Sequence, residues 1–93
     1  MYDLEYSGQF KKDLKLMNKR GVNLNDLRKV LDYLIIEGQV PISFKPHILS
    51  GKYKGVWECH INPDWLLVYD INNSIITNAS TTNTSMITNY NLS

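Results

Sequence analysis

The stretch from His47 to Asp70, HILSGKYKGVWECHINPDWLLVYD, decides the fold, because it holds both histidines, the single cysteine and both tryptophans of the chain. Two apolar runs, Tyr53 to Ile61 and Trp65 to Ile71, the second ending one residue past this stretch, are rich in β-branched and aromatic residues. Between them stands Asn62-Pro63-Asp64, a tight-turn composition, so the stretch reads as an antiparallel hairpin. Side chains alternate across a strand, which puts Val56, Glu58 and His60 on one face and Trp57, Cys59 and Ile61 on the other. His60 therefore belongs to the polar set. His47 falls just upstream, in a loop marked by Pro46 and Ser50-Gly51, and Asp64 follows the proline at the hairpin tip. Two imidazoles and a carboxylate are thus expected to converge on one end of a sheet.

Outward from the hairpin, the 93 residues suffice for one domain with one modest core. No apolar run approaches the roughly 20 residues of a membrane span, and MYDLEYSGQF lacks the basic and apolar blocks of a signal peptide. One cysteine forms no internal disulfide, and two histidines with one cysteine at irregular spacing make a poor metal set. The expectation is a cytoplasmic, reduced protein without metal, cofactor or membrane partner.

The net charge of +1 hides a segregation, since all ten Lys and Arg lie between Lys11 and Lys54, against only Asp13, Asp26, Asp32 and Glu37. Lys11, Lys12, Lys15, Lys19 and Arg20 fall on and after one expected helix, and Lys52 and Lys54 lie beside the histidines. Such side chains can hold phosphates without reading sequence, or can simply form a solvated helix face.

Before the hairpin, Tyr2, Leu4 and Tyr6 alternate with Asp3 and Glu5 as a short strand does. Ser7 can cap a helix in which Phe10, Leu14 and Met17 recur at the spacing of one buried stripe, with Gly21 at its end. Asn23 or Asn25 can cap a second helix, with Leu24, Leu27, Val30, Leu31, Leu34 and Ile35 on its apolar face and Gly38 as its stop. Gln39 to Lys52 holds Pro41, Pro46 and Gly51 and reads as the long loop from helices to sheet. After the hairpin, Asn72-Asn73 signals a turn and Ser74 to Thr77 begins a further strand. The order strand, helix, helix and three antiparallel strands gives an α+β layer with both helices on one sheet face.

The segments SGQFKKDLKLMNKRG, LRKVLDYL and HILSGKYKGVWECHINPDWLLVYDI together resemble the YafQ branch of the RelE/ParE toxin superfamily, over roughly residues 1 to 71. The resemblance implies a small α+β ribonuclease fold of the RelE-like type, two N-terminal helices on a small antiparallel sheet. It implies an endonuclease that cuts mRNA on the ribosome and is silenced by a DinJ-like antitoxin. His47 and His60 match the two histidines of that pattern, and Asp64 and Trp65 its Asp-Trp pair, so His47, His60 and Asp64 are the candidate catalytic residues. Metal-free RNA cleavage needs a base for the ribose 2′-OH, an acid for the leaving 5′-oxygen and a cation for the phosphorane. Histidine suits either proton role. Asp64 can act as a base or hold an imidazole in one tautomer. Lys52, Lys54, Trp65, Lys11 and Lys15 are the candidate RNA-binding residues. Trp65 fits equally a ring under a base and a core side chain, and Cys59 reads as a small buried apolar group.

The chain departs from that pattern at its end. Where the family carries an Arg-Thr-Gly-Thr-His run and then a Phe, Ser80 stands for the arginine, Thr82 for the glycine, Thr84 for the histidine and Thr88 for the aromatic. From Ile71 to Ser93 no residue is charged. The favoured account is a frameshifted or degenerated 3′ end, with a diverged functional tail as the alternative. The fold is expected to survive and ribonuclease activity to be weak or lost. Two other readings remain: a dead module that titrates an antitoxin, and a ParE-like inhibitor of a protein target, which needs no His47, His60 and Asp64 set.

Overall fold

The computed structural model describes residues 1–50 and 55–83. Its elements in chain order are β1 (Asp3–Tyr6), α1 (Gly8–Lys19), α2 (Asn25–Glu37), a 3₁₀ turn (Ile42–Phe44), β2 (His47–Ile48), β3 (Trp57–Asn62), β4 (Trp65–Asn72) and β5 (Ile75–Asn83). The five strands form one sheet in the order β1-β5-β4-β3-β2. The expected antiparallel sheet is in fact mixed, because β1 runs parallel to β5 while all other neighbours are antiparallel. The β3–β4 hairpin lies inside the sheet, though its exact middle is β4.

Local chemistry accounts for the elements. Ser7 caps α1, its Oγ accepting from the Phe10 N–H at 3.0 Å and donating to the Ala79 carbonyl at 2.6 Å. Asn23 Oδ1 accepts the Asn25 N–H at 2.9 Å at the entry to α2. Gly38 closes that helix in the left-handed region, at φ 70°. The β4–β5 connection turns through Asn73 at φ 57°, a conformation asparagine tolerates better than most residues.

Phe10 and Met17 of α1 and Leu27, Val30 and Leu34 of α2 enter one core with Cys59, Ile61, Trp65, Leu67, Tyr69 and Ile76 of the sheet. α1 lies against β5 and α2 against β3, so both helices cover the same sheet face. Trp57 joins that face, its ring stacked 6.4 Å from that of Tyr69. Burial pushes the Cys59 thiol up to about 12, helped by the neighbouring Glu58 charge, and raises the Tyr69 hydroxyl as well. Cys59 is thus an inert packing group.

β5 is longer than the expected strand beginning at Ser74, and it is flanked on both sides. β1 pairs with it only as far as Tyr6 opposite Asn78. Beyond that point α1 closes the edge: Ser7 serves the Ala79 carbonyl, and Asp13 Oδ2 accepts from the Thr81 N–H at 3.0 Å. Backbone groups that would otherwise invite another strand are thereby satisfied within the chain.

Candidate histidine site on the open sheet face

The sheet face away from the helices carries the polar side chains of β3. His47, expected in a loop, instead sits on the two-residue edge strand β2, where it pairs with Glu58 and so shares the face of Glu58 and His60. Pairing with β3 fixes its direction, which a loop would leave loose. The His47 and His60 rings are 6.3 Å apart, close enough to attend to one phosphate group.

His47 is held at both ring nitrogens. Nδ1 lies 3.0 Å from the Lys45 carbonyl and Nε2 lies 3.1 Å from Glu58 Oε1. A carbonyl and a carboxylate only accept hydrogen bonds, so each contact is a hydrogen bond when the ring nitrogen facing it carries the proton. Glu58 is a third member of the group, and sequence reasoning left it unassigned. The available signal was its position two residues before His60, on the same strand face. Among the described residues neither nitrogen of the His60 ring has a hydrogen-bond partner, which leaves that ring open to a substrate.

Cross-strand registers extend the site into two rows. One runs His47, Glu58, Val68, Ser80, and the other His60, Leu66, Thr82. Ser80 and Thr82 face this side because of a register shift between Val68 and Tyr69 that leaves Ala79 as an extra residue on β5. Before the bulge Ile76 and Asn78 point to the core; after it Thr81 does, and its neighbours turn outward.

The other expected site residues are placed as follows. Asp64 is exposed in the β3–β4 turn, its N–H held by Asn62 Oδ1 at 3.0 Å. Trp65 is 2% exposed and gives its indole N–H to Thr81 Oγ1 at 2.8 Å, so it takes the core role and has no ring face for a base. Lys11 and Lys15 are exposed on α1, in the helix layer on the opposite side of the sheet from His60, and do not join this site. Lys52 and Lys54 lie outside the described residues, as do Thr84 and Thr88. Among the described residues no three His, Cys, Asp or Glu side chains are arranged to hold a metal ion. No described helix is long and apolar enough to cross a membrane.

With this geometry in place, comparison with known proteins gives a consistent picture. A sequence model of the family described as "Bacterial toxin of type II toxin-antitoxin system, YafQ" matches residues 2–89 and so runs through β5. The mRNA interferase toxin YafQ of Escherichia coli strain K12 is 41% identical over 76 residues, 80% of this chain and 82% of that protein. The crystal structure of YafQ from E. coli strain BL21(DE3) aligns with a TM-score of 0.81 at 34% identity, covering 94% of this chain and 98% of that one. The toxin in the crystal structure of the E. coli DinJ–YafQ complex aligns at 0.80, with 34% identity over the same shares.

Proposed function

The chain belongs to the YafQ family of bacterial type II toxins, and we propose from that premise that it cuts mRNA on the ribosome and is silenced by a DinJ-like antitoxin. The carrying observation is the pairing of a histidine held between two acceptors, His47, with an open one, His60, on a single sheet face 6.3 Å apart.

Their surroundings divide the work. His60, with its ring nitrogens open, takes the proton of a ribose 2′-OH, and the 2′-oxygen attacks the adjacent phosphorus. The phosphorus–5′-oxygen bond breaks, leaving a 2′,3′-cyclic phosphate. The departing 5′-oxygen takes a proton from the His47 imidazolium, which Glu58 and the Lys45 carbonyl orient. Asp64, exposed in the turn after β3, is the further candidate for a proton role, and Lys52 and Lys54, which stand between the two histidines in the sequence, are the candidate phosphate contacts. Ribosomes and mRNA as partners place the protein in the cytoplasm.

Ser80 is the weak point of this machinery. It stands in the row of His47 and Glu58, where the family pattern has an arginine, and a hydroxyl brings no positive charge to the phosphorane. Activity below that of a complete relative follows. Of the two accounts of the tail, a diverged strand fits its contacts better than a random frameshifted segment. Thr81 alone serves Trp65, Leu66 and Asp13.

The test is expression without antitoxin, with cleavage of ribosome-bound mRNA mapped by primer extension. Slow growth with weak cuts, abolished by His60→Ala, is the expected result, since losing one proton-transfer group costs about 10² to 10⁴ in rate. Cuts that survive both His60→Ala and His47→Ala would overturn the assignment. Absence of any cut, with DinJ-like antitoxin still bound, would leave the antitoxin-titrating reading in its place.

A further inference from the structure

Between the acid–base side of the open face and the hydroxyls of β5 lie two aliphatic side chains, Leu66 and Val68. Both are half-buried, yet neither packs against the core, which takes their neighbours Trp65, Leu67 and Tyr69 instead. The registers fix what surrounds them. Leu66 stands between His60 and Thr82, and Val68 between Glu58 and Ser80. The result is an apolar floor with proton-transfer groups along one side and two hydroxyls along the other.

We infer that Leu66 and Val68 form the seat of one RNA nucleotide, its ribose and base lying on the aliphatic floor with the base edge toward Ser80 and Thr82. This rests on the ribonuclease reading above and adds to it the residues that hold the substrate. Strands are spaced about 4.8 Å apart, so the floor separates Glu58 and His60 from Ser80 and Thr82 by roughly 10 Å. A nucleotide laid across that gap has its phosphate at the histidines and its base beyond β4.

The chemistry of the seat limits what it selects. An aliphatic surface meets the face of any base, so contact with Leu66 and Val68 is tolerant of sequence, as stacking platforms for single strands are. A hydroxyl both donates and accepts, so Ser80 and Thr82 can pair with purine or pyrimidine edges. An arginine at position 80 would reach over Val68; serine is too short to do so. This chain therefore gives up charge at the phosphorane and gains open apolar surface for the base. The occupant is single-stranded, because a base inside a duplex has no free face to lay down.

The experiment uses the full chain with methyl-labelled Leu and Val, titrated with an RNA trinucleotide whose central ribose lacks the 2′-hydroxyl and so cannot be cut. The Leu66 and Val68 methyl signals should shift together with the His47 and His60 ring signals and show cross-relaxation to base protons. Leu66→Thr should weaken binding about tenfold, in keeping with the apolar surface removed. Val68→Thr, which keeps the shape, should act the same way if Leu66→Thr fails to fold. Ile36→Thr, at an exposed position on α2, should leave binding unchanged. Shifts at the histidines without shifts at Leu66 and Val68 would overturn the seat and leave the ribonuclease reading standing. No shift anywhere on the face would overturn the seat as well. Methyl shifts from a chain that cuts no ribosomal mRNA would uphold the seat and sink the reading it started from.

Discussion

The two sides of the open sheet face differ in kind. On the β2–β3 side His47, Glu58 and His60 bring together two imidazoles and a carboxylate, with His47 fixed at both ring nitrogens. On the β5 side Ser80 and Thr82 offer only hydroxyls, on a strand without one charged residue. The inward positions of β5 nevertheless enter the core, with one flaw: Asn78 gives its amide N–H to the Glu5 carbonyl at 3.3 Å, while its Oδ1 is buried without a partner among the described residues. Ile76 is fully buried, and Thr81 accepts from the Trp65 indole while donating to the Leu66 carbonyl at 2.8 Å. Alternate residues of one strand face the core and the open side separately. The outward set can therefore change without disturbing the inward set.

Making the two sides alike should have the largest effect. Ser80→Arg, combined with Thr82→Gly and Thr84→His, should raise mRNA cleavage on ribosomes by about 10² to 10³, the size of one transition-state donor. A triple variant no faster than the starting chain, with its fold intact by circular dichroism, would mean that these three positions do not limit the rate.

Damage to the inward side should instead appear in stability. Thr81→Val removes the acceptor of a buried indole N–H and should cost about 1–3 kcal/mol in urea unfolding. The melting temperature should then fall by roughly 4–8 °C per kcal/mol. Cleavage per folded molecule should be unchanged; a selective loss of activity would show that the two sets are coupled.

On the β2–β3 side, Glu58→Gln keeps the shape but loses the carboxylate that holds His47. The expected result is a fall in kcat of about tenfold, in the range of a partly exposed hydrogen bond to a charged group. KM should not move, and Glu58→Asp should recover part of the rate. An equal change in kcat and KM would point to a substrate contact instead of orientation.

The gentlest test is alkaline titration of stability. Cys59 is raised from about 9 to about 12 in the folded chain, and Tyr69 is raised as well, so above pH 9 the folded state binds more protons than the unfolded state. Stability is fully present below pH 9 and should decline as pH rises toward 12, by up to about 1.4 kcal/mol per pH unit for each such group. A flat profile across that window would mean that the β3–β4 core is wetter than its burial indicates.

Much of this was legible in the sequence because it is local. Asn62-Pro63-Asp64 marks a turn by its own backbone preferences, and period-two alternation assigns His60 to one face and Trp57 and Cys59 to the other before any partner strand is known. The helix stripes through Phe10 and Met17 and through Leu27, Val30 and Leu34 obey the same logic at period 3.6. What the tertiary structure alone decided depends on pairing between distant segments. Alternation would have sent Ser80 inward with Ile76 and Asn78; one extra residue at Ala79, defined only against β4, turns it outward beside Val68. His47 and Glu58 stand eleven positions apart in the chain, and only the pairing of β2 with β3 makes them neighbours. Trp65 chose the core for the same reason: its indole N–H needed an acceptor, and Thr81, sixteen residues on, provides one.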